Sequence, residues 1–165
     1  MKGQSFFEHY FTLSLFIVAV GILFLQIVKI VPFYQAKMKS QILNSKAFQI
    51  SEILVNDYGC PADWNLDNVE RIGLNNQNKN QTNFISIEKI QKLNQSCQNN
   101  GYQFVKEKIG LEKEYEMKIL IKFLNGSLLV NCSLPKIEKN FAKEKIERIA
   151  YTSQGYVKIC VEVMG

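Results

Sequence analysis

The chain has 165 residues, an apolar content of 47% and a formal net charge of +5. That length holds one domain plus one accessory segment. The lysines alternate with glutamates in the runs 106–118 and 136–148, which describes a solvated surface and excludes a nucleic-acid footprint.

Residues 10–28, YFTLSLFIVAVGILFLQIV, carry no charge. Nineteen residues at helical rise cover roughly 28 Å, close to the hydrocarbon thickness of a bilayer. The run is apolar on all sides, unlike the one-sided pattern of a helix in a soluble core. It continues into Lys29 and Pro32 with no small-x-small site after it, so the expectation is a retained span and not a secretory signal that is removed.

The helical pattern persists beyond the span. Leu43, Ala47, Ile50 and Leu54 recur at steps of four, three and four, one face of an amphipathic helix that Ile42 and Ile53 are expected to widen. Lys37, Lys39, Ser45, Lys46 and Glu52 are left for water. One helix is therefore expected over residues 4–57, with Pro32 kinking or locally opening it. Gly59 supplies a permissive helix end and Pro61 prevents resumption.

Residues 59–83 read as irregular, with 75–83 an exposed loop. A short helix follows at 86–93, and another helical turn or two at 102–109. The period then changes. Tyr115, Met117, Ile119, Ile121 and Phe123 alternate with Glu116, Lys118 and Lys122, a half-buried strand. Asn125-Gly126 is a hairpin turn leading to a second strand over 127–132. Residues 146–152 and 157–163 form another pair across Ser153-Gln154-Gly155. The fold class expected is α+β, with the second half of the long helix packed on a small antiparallel sheet.

Four cysteines, Cys60, Cys97, Cys132 and Cys160, follow the span, as do four Asn-x-Ser/Thr sequons at Asn80, Asn94, Asn125 and Asn131. Counted alone, Lys2 before the span against Lys29, Lys37 and Lys39 after it would leave the domain in the cytoplasm. An even cysteine count and the sequons point the other way, to an oxidising compartment where disulfides and glycans are made. Zinc is the rival use of the cysteines, but there is no C-x-x-C pair and the single histidine, His9, lies beside the span. Four cysteines allow three pairings. Neighbourhood in the chain suggests Cys60 with Cys97 and Cys132 with Cys160.

The first eight residues, Met1-Lys2-Gly3-Gln4-Ser5-Phe6-Phe7-Glu8, resemble the class III signal peptide of archaeal prepilins, and the long half-apolar helix resembles that of type IV pilins. The resemblance implies a leader of residues 1–3, cleaved at Gly3-Gln4 by a prepilin peptidase. It also implies a retained helix 4–57 with the transmembrane part at 10–28, and an extracytoplasmic domain over 58–165. Phe6 stands where the family tends to have a small residue. Glu8 would be the single acidic residue at mature position five, which in the family is thought to meet the N-terminal amine of a neighbouring subunit. Such a pair gains on the order of 4 kcal/mol at about 4 Å and an effective dielectric near 20, before desolvation.

A second resemblance, to small archaeal pilin-like proteins, rests on Gly59, Pro61, Trp64, Arg71, Gly73, Leu74 and Lys89. These match a helix ending in a Gly-x-Pro-x-x-Trp turn, an Arg-Ile-Gly-Leu strand and a Lys-bearing helix. From the residues alone, Trp64 reads as a structural plug ahead of a stacking platform, and Arg71 as the partner of a local carboxylate ahead of an anion site. No catalytic triad, carboxylate pair or metal cluster can be assembled from the sequence, so catalytic residues, metal and cofactor are all expected to be none. The function implied is a structural subunit, a minor one, of a cell-surface filament of archaeal type IV pilus kind, with a role in adhesion or a secretion-type machine. Its partners would be the membrane and other pilin-like subunits. The alternative is a single-span anchored binding or sensor protein.

Overall fold

The computed structural model describes residues 3–77, 81–134 and 141–165. The elements follow in the order α1 (Gly3–Asn56), α2 (Ile87–Asn99), α3 (Gly101–Ile109), β1 (Glu116–Phe123), β2 (Leu128–Ser133), β3 (Lys143–Thr152) and β4 (Gly155–Met164). The architecture is α+β, a long N-terminal helix followed by a four-stranded antiparallel sheet. Two compact units divide the chain, Met1–Lys39 and Ser40–Gly165.

In the first unit the backbone stays helical through Pro32. The expected local opening is not found, although proline removes one intrahelical hydrogen bond. The helix is long and apolar enough to cross a membrane, and none of its most apolar stretch is buried within the chain. Every large apolar side chain from Tyr10 to Tyr34 is between 44% and 70% exposed.

The second unit is built on the remainder of α1. Leu43, Ala47, Ile50 and Leu54 are buried in one cluster with Met117, Ile119, Ile121, Ile159 and Val161 of the sheet. Burial of each larger side chain contributes about 2 kcal/mol. Ile42 does not widen this face; it is 45% exposed. The face widens on its other side, through Ser51 and Val55, because the sheet and the loop after α1 lie over that flank. Nor are Lys46 and Glu52 simply solvated. Lys46 pairs with Glu112 at 2.6 Å and lies over the Tyr115 ring, and Glu52 pairs with Arg148.

The strand order is β2-β1-β4-β3, all antiparallel. Ile119 faces Cys132 on one side and Val161 on the other, while Leu120 faces Asn131 and Cys160. The alternation therefore sends Met117, Ile119 and Ile121 inward and Lys118, Leu120 and Lys122 to the outer face. Helix α2 runs on to Asn99, longer than the sequence pattern suggested, while α3 lies where it was expected. Ser86 caps α2, its hydroxyl accepting from Lys89 N. Arg71–Leu74, expected as a strand, is extended but makes isolated bridges only, Cys60 with Arg71 and Asn75 with Ile85.

This topology corrects the cysteine pairing. The disulfide joins Cys97 to Cys132, with Cα atoms 5.8 Å apart, and Cys60 and Cys160 are free thiols. Strand β1 lies between β2 and β4, which puts Cys132 and Cys160 about two strand spacings apart, roughly 10 Å, beyond disulfide reach. They also face opposite sides of the sheet, since Cys132 is in register with inward Ile119 and Cys160 with outward Leu120. Cys97 is instead carried on α2, which packs against β2.

Candidate functional site

The residues singled out near the N-terminus occupy the first turns of α1. Gly3 opens the helix, and Glu8 is exposed, its backbone carbonyl accepting from the Thr12 hydroxyl at 2.5 Å. No described residue pairs with the Glu8 carboxylate. Met1 and Lys2 of the expected leader, and the sequon residue Asn80, lie outside the described residues.

The second set, Gly59, Pro61, Trp64, Arg71, Gly73, Leu74 and Lys89, is gathered into one corner at the C-terminal end of α1. A helix end leaves its last carbonyls without intrahelical donors. Here they are met from elsewhere in the chain. Leu74 N donates to Leu54 O at 3.1 Å, and Asn75 Nδ2 donates to Val55 O at 3.1 Å. Lys89 Nζ donates to Tyr58 O at 2.6 Å and to Asn75 O at 3.0 Å. Tyr58 and Asn75 lie beyond the helix, so the Lys89 ammonium, brought from α2, ties the segment after α1 to the 71–75 segment, and the last turn of α1 itself contains no basic residue. Burial, and then the neighbouring Lys92 charge, hold the Lys89 amine below the usual lysine range.

Trp64 is fully buried, and its indole N–H donates to Gly73 O at 2.8 Å. Gly59, at φ +84°, adopts the left-handed conformation and lies against that indole. Gly73 needs no unusual φ. Its requirement is space: a Cβ there would sit 2.4 Å from both Asp57 O and Gly59 N. Arg71 pairs with Asp57 at 2.8 Å, and Asp57 Oδ1 accepts from Gly59 N. Lys92 Nζ reaches Trp64 O at 3.0 Å. The corner thus binds the end of α1, the 59–74 loop and the start of α2 into one hydrogen-bonded piece.

Sequence reasoning missed Asn75. It is buried, it caps α1 through Nδ2, and its Oδ1 has no hydrogen-bond partner among the described residues. The run 75–83 is uniformly polar, so nothing in the sequence separates this asparagine from its solvated neighbours. Beside the corner a cleft of about 450 Å³ is lined by Asp63, Asn76, Glu88, Lys89, Lys92 and Ser153, among others. Both lysine ammoniums are already engaged by carbonyls. Among the described residues no three His, Cys, Asp or Glu side chains come together where they could hold a metal ion.

The free thiols are unlike one another. Cys60 is partly exposed and its Sγ lies 3.4 Å from Glu70 Oε2. The Glu70 hydrogen bond, then burial, push its pKa up. Cys160 is buried on the outer sheet face, and desolvation raises its pKa as well. Both are protonated, weakly nucleophilic thiols at neutral pH.

Of the three sequons within the described residues, Asn94 lies in α2, Asn125 at the tip of the β1–β2 hairpin and Asn131 on β2. The apolar N-terminal helix, its second half packed on a small antiparallel sheet, is compatible with a pilin-like fold. No family model, curated protein or solved structure matches this chain.

Proposed function

We propose that this chain is a pilin-like structural subunit, held in the membrane by residues 10–28 and assembled through the same helix into a surface filament of archaeal type IV pilus kind. The observation that carries the reading is the uncovered first half of α1. Its apolar side chains expose on the order of 1,500 Å² within the single chain, and removing that much from water is worth tens of kcal/mol at ~25 cal/mol/Å². A surface of that size needs lipid or the helices of other subunits. The second half of the same helix is packed on its own sheet, which leaves the first half free to do either.

The Cys97–Cys132 disulfide supports a location of the domain in an oxidising compartment, outside the membrane. Processing at Gly3-Gln4 would remove Lys2 and free an amine near Glu8. A minor subunit fits the irregular, charged surface of the domain.

The test is the N-terminus of the mature protein, read by mass spectrometry of membrane and sheared-surface fractions. A chain beginning at Gln4, or at its cyclised pyroglutamate, is expected. Glu8→Ala should then leave the subunit in the membrane fraction and deplete it from filaments. A native chain beginning at Met1 overturns the reading and leaves a single-span anchored binding or sensor protein.

A further inference from the structure

The three described sequons are chemically alike in sequence and differ in conformation. Asn94 is in the middle of α2, and the Ser96 of its sequon is fully buried, its hydroxyl bonded back to Lys92 O at 2.8 Å. Asn131 is exposed, but the ladder with β1 holds its sequon extended, from Leu120↔Asn131 to Lys118↔Ser133. Its middle residue is Cys132, fully buried and tied to Cys97. Among the described residues no hydrogen bond joins Asn131 to Ser133.

Asn125 is different. The hairpin closes through Gly126 N to Phe123 O and Phe123 N to Ser127 O, both 2.9 Å, with Gly126 at φ +94°. Residues 124–127 are all exposed, and a Cβ placed on Gly126 would meet nothing within 4 Å. Within this turn Asn125 Oδ1 accepts two hydrogen bonds from its own sequon, from Ser127 N at 2.9 Å and from Ser127 Oγ at 2.8 Å. Among the described residues nothing engages Nδ2, which faces open solvent.

That arrangement suits an amide nitrogen that must act as a nucleophile. An amide nitrogen is a poor one because its lone pair is delocalised into the carbonyl. As a base withdraws a proton from Nδ2, negative charge grows on Oδ1, and two donors already placed there stabilise it, as an oxyanion hole does. The Asn side chain is also held in one orientation before any enzyme approaches.

We propose that Asn125 is an N-glycosylation site of this protein, taking a glycan from a polyprenyl-phosphate-linked or pyrophosphate-linked sugar. In the transfer Nδ2 forms a bond to C1 of the sugar, and the C1–oxygen bond to the lipid phosphate breaks. The lipid phosphate leaves with the electron pair, and the Nδ2 proton goes to a base of the transferase. The proposal rests on the extracytoplasmic placement of the domain, and it selects one sequon from the described three.

The test uses the full chain from native membranes. Intact mass and glycopeptide fragmentation are read for the wild type and for Asn125→Gln, Asn131→Gln, Ser127→Ala and Ser127→Thr. A glycan is expected on the residue-125 peptide of the wild type and of Asn131→Gln, lost from it in Asn125→Gln and Ser127→Ala, and kept in Ser127→Thr, which retains the hydroxyl. A glycan found on the Asn94 or Asn131 peptide instead, or a wild-type chain with Asn125 unmodified, overturns the proposal. Labelling of surface lysines on intact cells with a membrane-impermeant reagent separates two failures. A labelled domain with bare Asn125 refutes this site alone, whereas an unlabelled domain refutes the extracytoplasmic placement together with it.

Discussion

Gly73→Ala is the sharpest probe of the corner at the end of α1. The new methyl would lie 2.4 Å from Asp57 O and from Gly59 N, both backbone atoms, against an ordinary contact of about 3.5–4 Å. Neither can swing aside as a side chain would, so the 57–59 segment and the 71–75 segment must separate by about 1 Å. Overpacking of that kind costs typically 1–3 kcal/mol. The separation also strains Trp64 Nε1–Gly73 O and Asn75 N–Asp57 O, each worth about 1 kcal/mol. The expected loss is about 4 kcal/mol, or a drop of about 2 M in the urea midpoint at a slope near 2 kcal/mol/M. Trp64 is the only tryptophan in the chain and is buried in this corner, so its fluorescence in detergent-solubilised full-length protein reads the transition directly. Gly110→Ala is the control. Gly110 has φ +85° and open space around its Cβ position, so only about 1 kcal/mol should be lost there. If Gly73→Ala costs no more than Gly110→Ala, the close approach described here is not what holds the corner together.

Three other measurements follow from the cysteines and from the outer sheet face. Alkylation of the unreduced, denatured chain should label Cys60 and Cys160 only, with Cys60 reacting first in the native state, and a Cys60–Cys97 peptide would refute the fold's pairing. Reducing the 35-residue Cys97–Cys132 link should lower stability by about 4 kcal/mol on the chain-entropy model. Glu147 lies between Lys145 and Lys158, each at 2.5 Å, and these hydrogen bonds, Lys145 first, pull its carboxyl down to about 2. A depressed folded pKa contributes stability that is present above the unfolded value of about 4.5 and is lost as pH falls towards 2. Thermal unfolding of Glu147→Gln should therefore show a flatter pH dependence between 4.5 and 2 than the wild type, and parallel curves would refute the assignment.

Local pattern carried much of the fold. The four-three-four spacing of Leu43, Ala47, Ile50 and Leu54 places the buried stripe of α1 correctly, and the alternation from Tyr115 to Phe123 places β1 and its faces. What local pattern could not carry was neighbour order. The two hairpins are visible as sequence, but β1 pairing with β4 is a contact between distant segments, and it is this pairing that separates Cys132 from Cys160. The same holds at the corner. Gly59 and Pro61 announce the end of a helix, yet the residues that satisfy that end, Leu74 and Asn75, come 18 and 19 positions further on than Asn56. A buried lysine that ties two loop carbonyls together, as Lys89 does, has the same letter as a solvated one.

The position of the α1 cap bears on how α1 can serve in a subunit. A helix whose first half is covered only by lipid or neighbours gains nothing from its own domain there. Its second half is stabilised by the sheet on one face and by Leu74 and Asn75 at its end, a segment that Lys89 ties to Tyr58 O. Fraying from the C-terminus would uncover Leu54 and Val55 and release the Trp64 turn with them, so the cap couples the integrity of the helix to that of the core. Damage at Lys89 or Gly73 should then be felt as loss of the folded domain, while damage at Glu8 should leave the domain intact and act only on assembly. Those two outcomes would separate a corner that builds the domain from a residue proposed to join one subunit to the next.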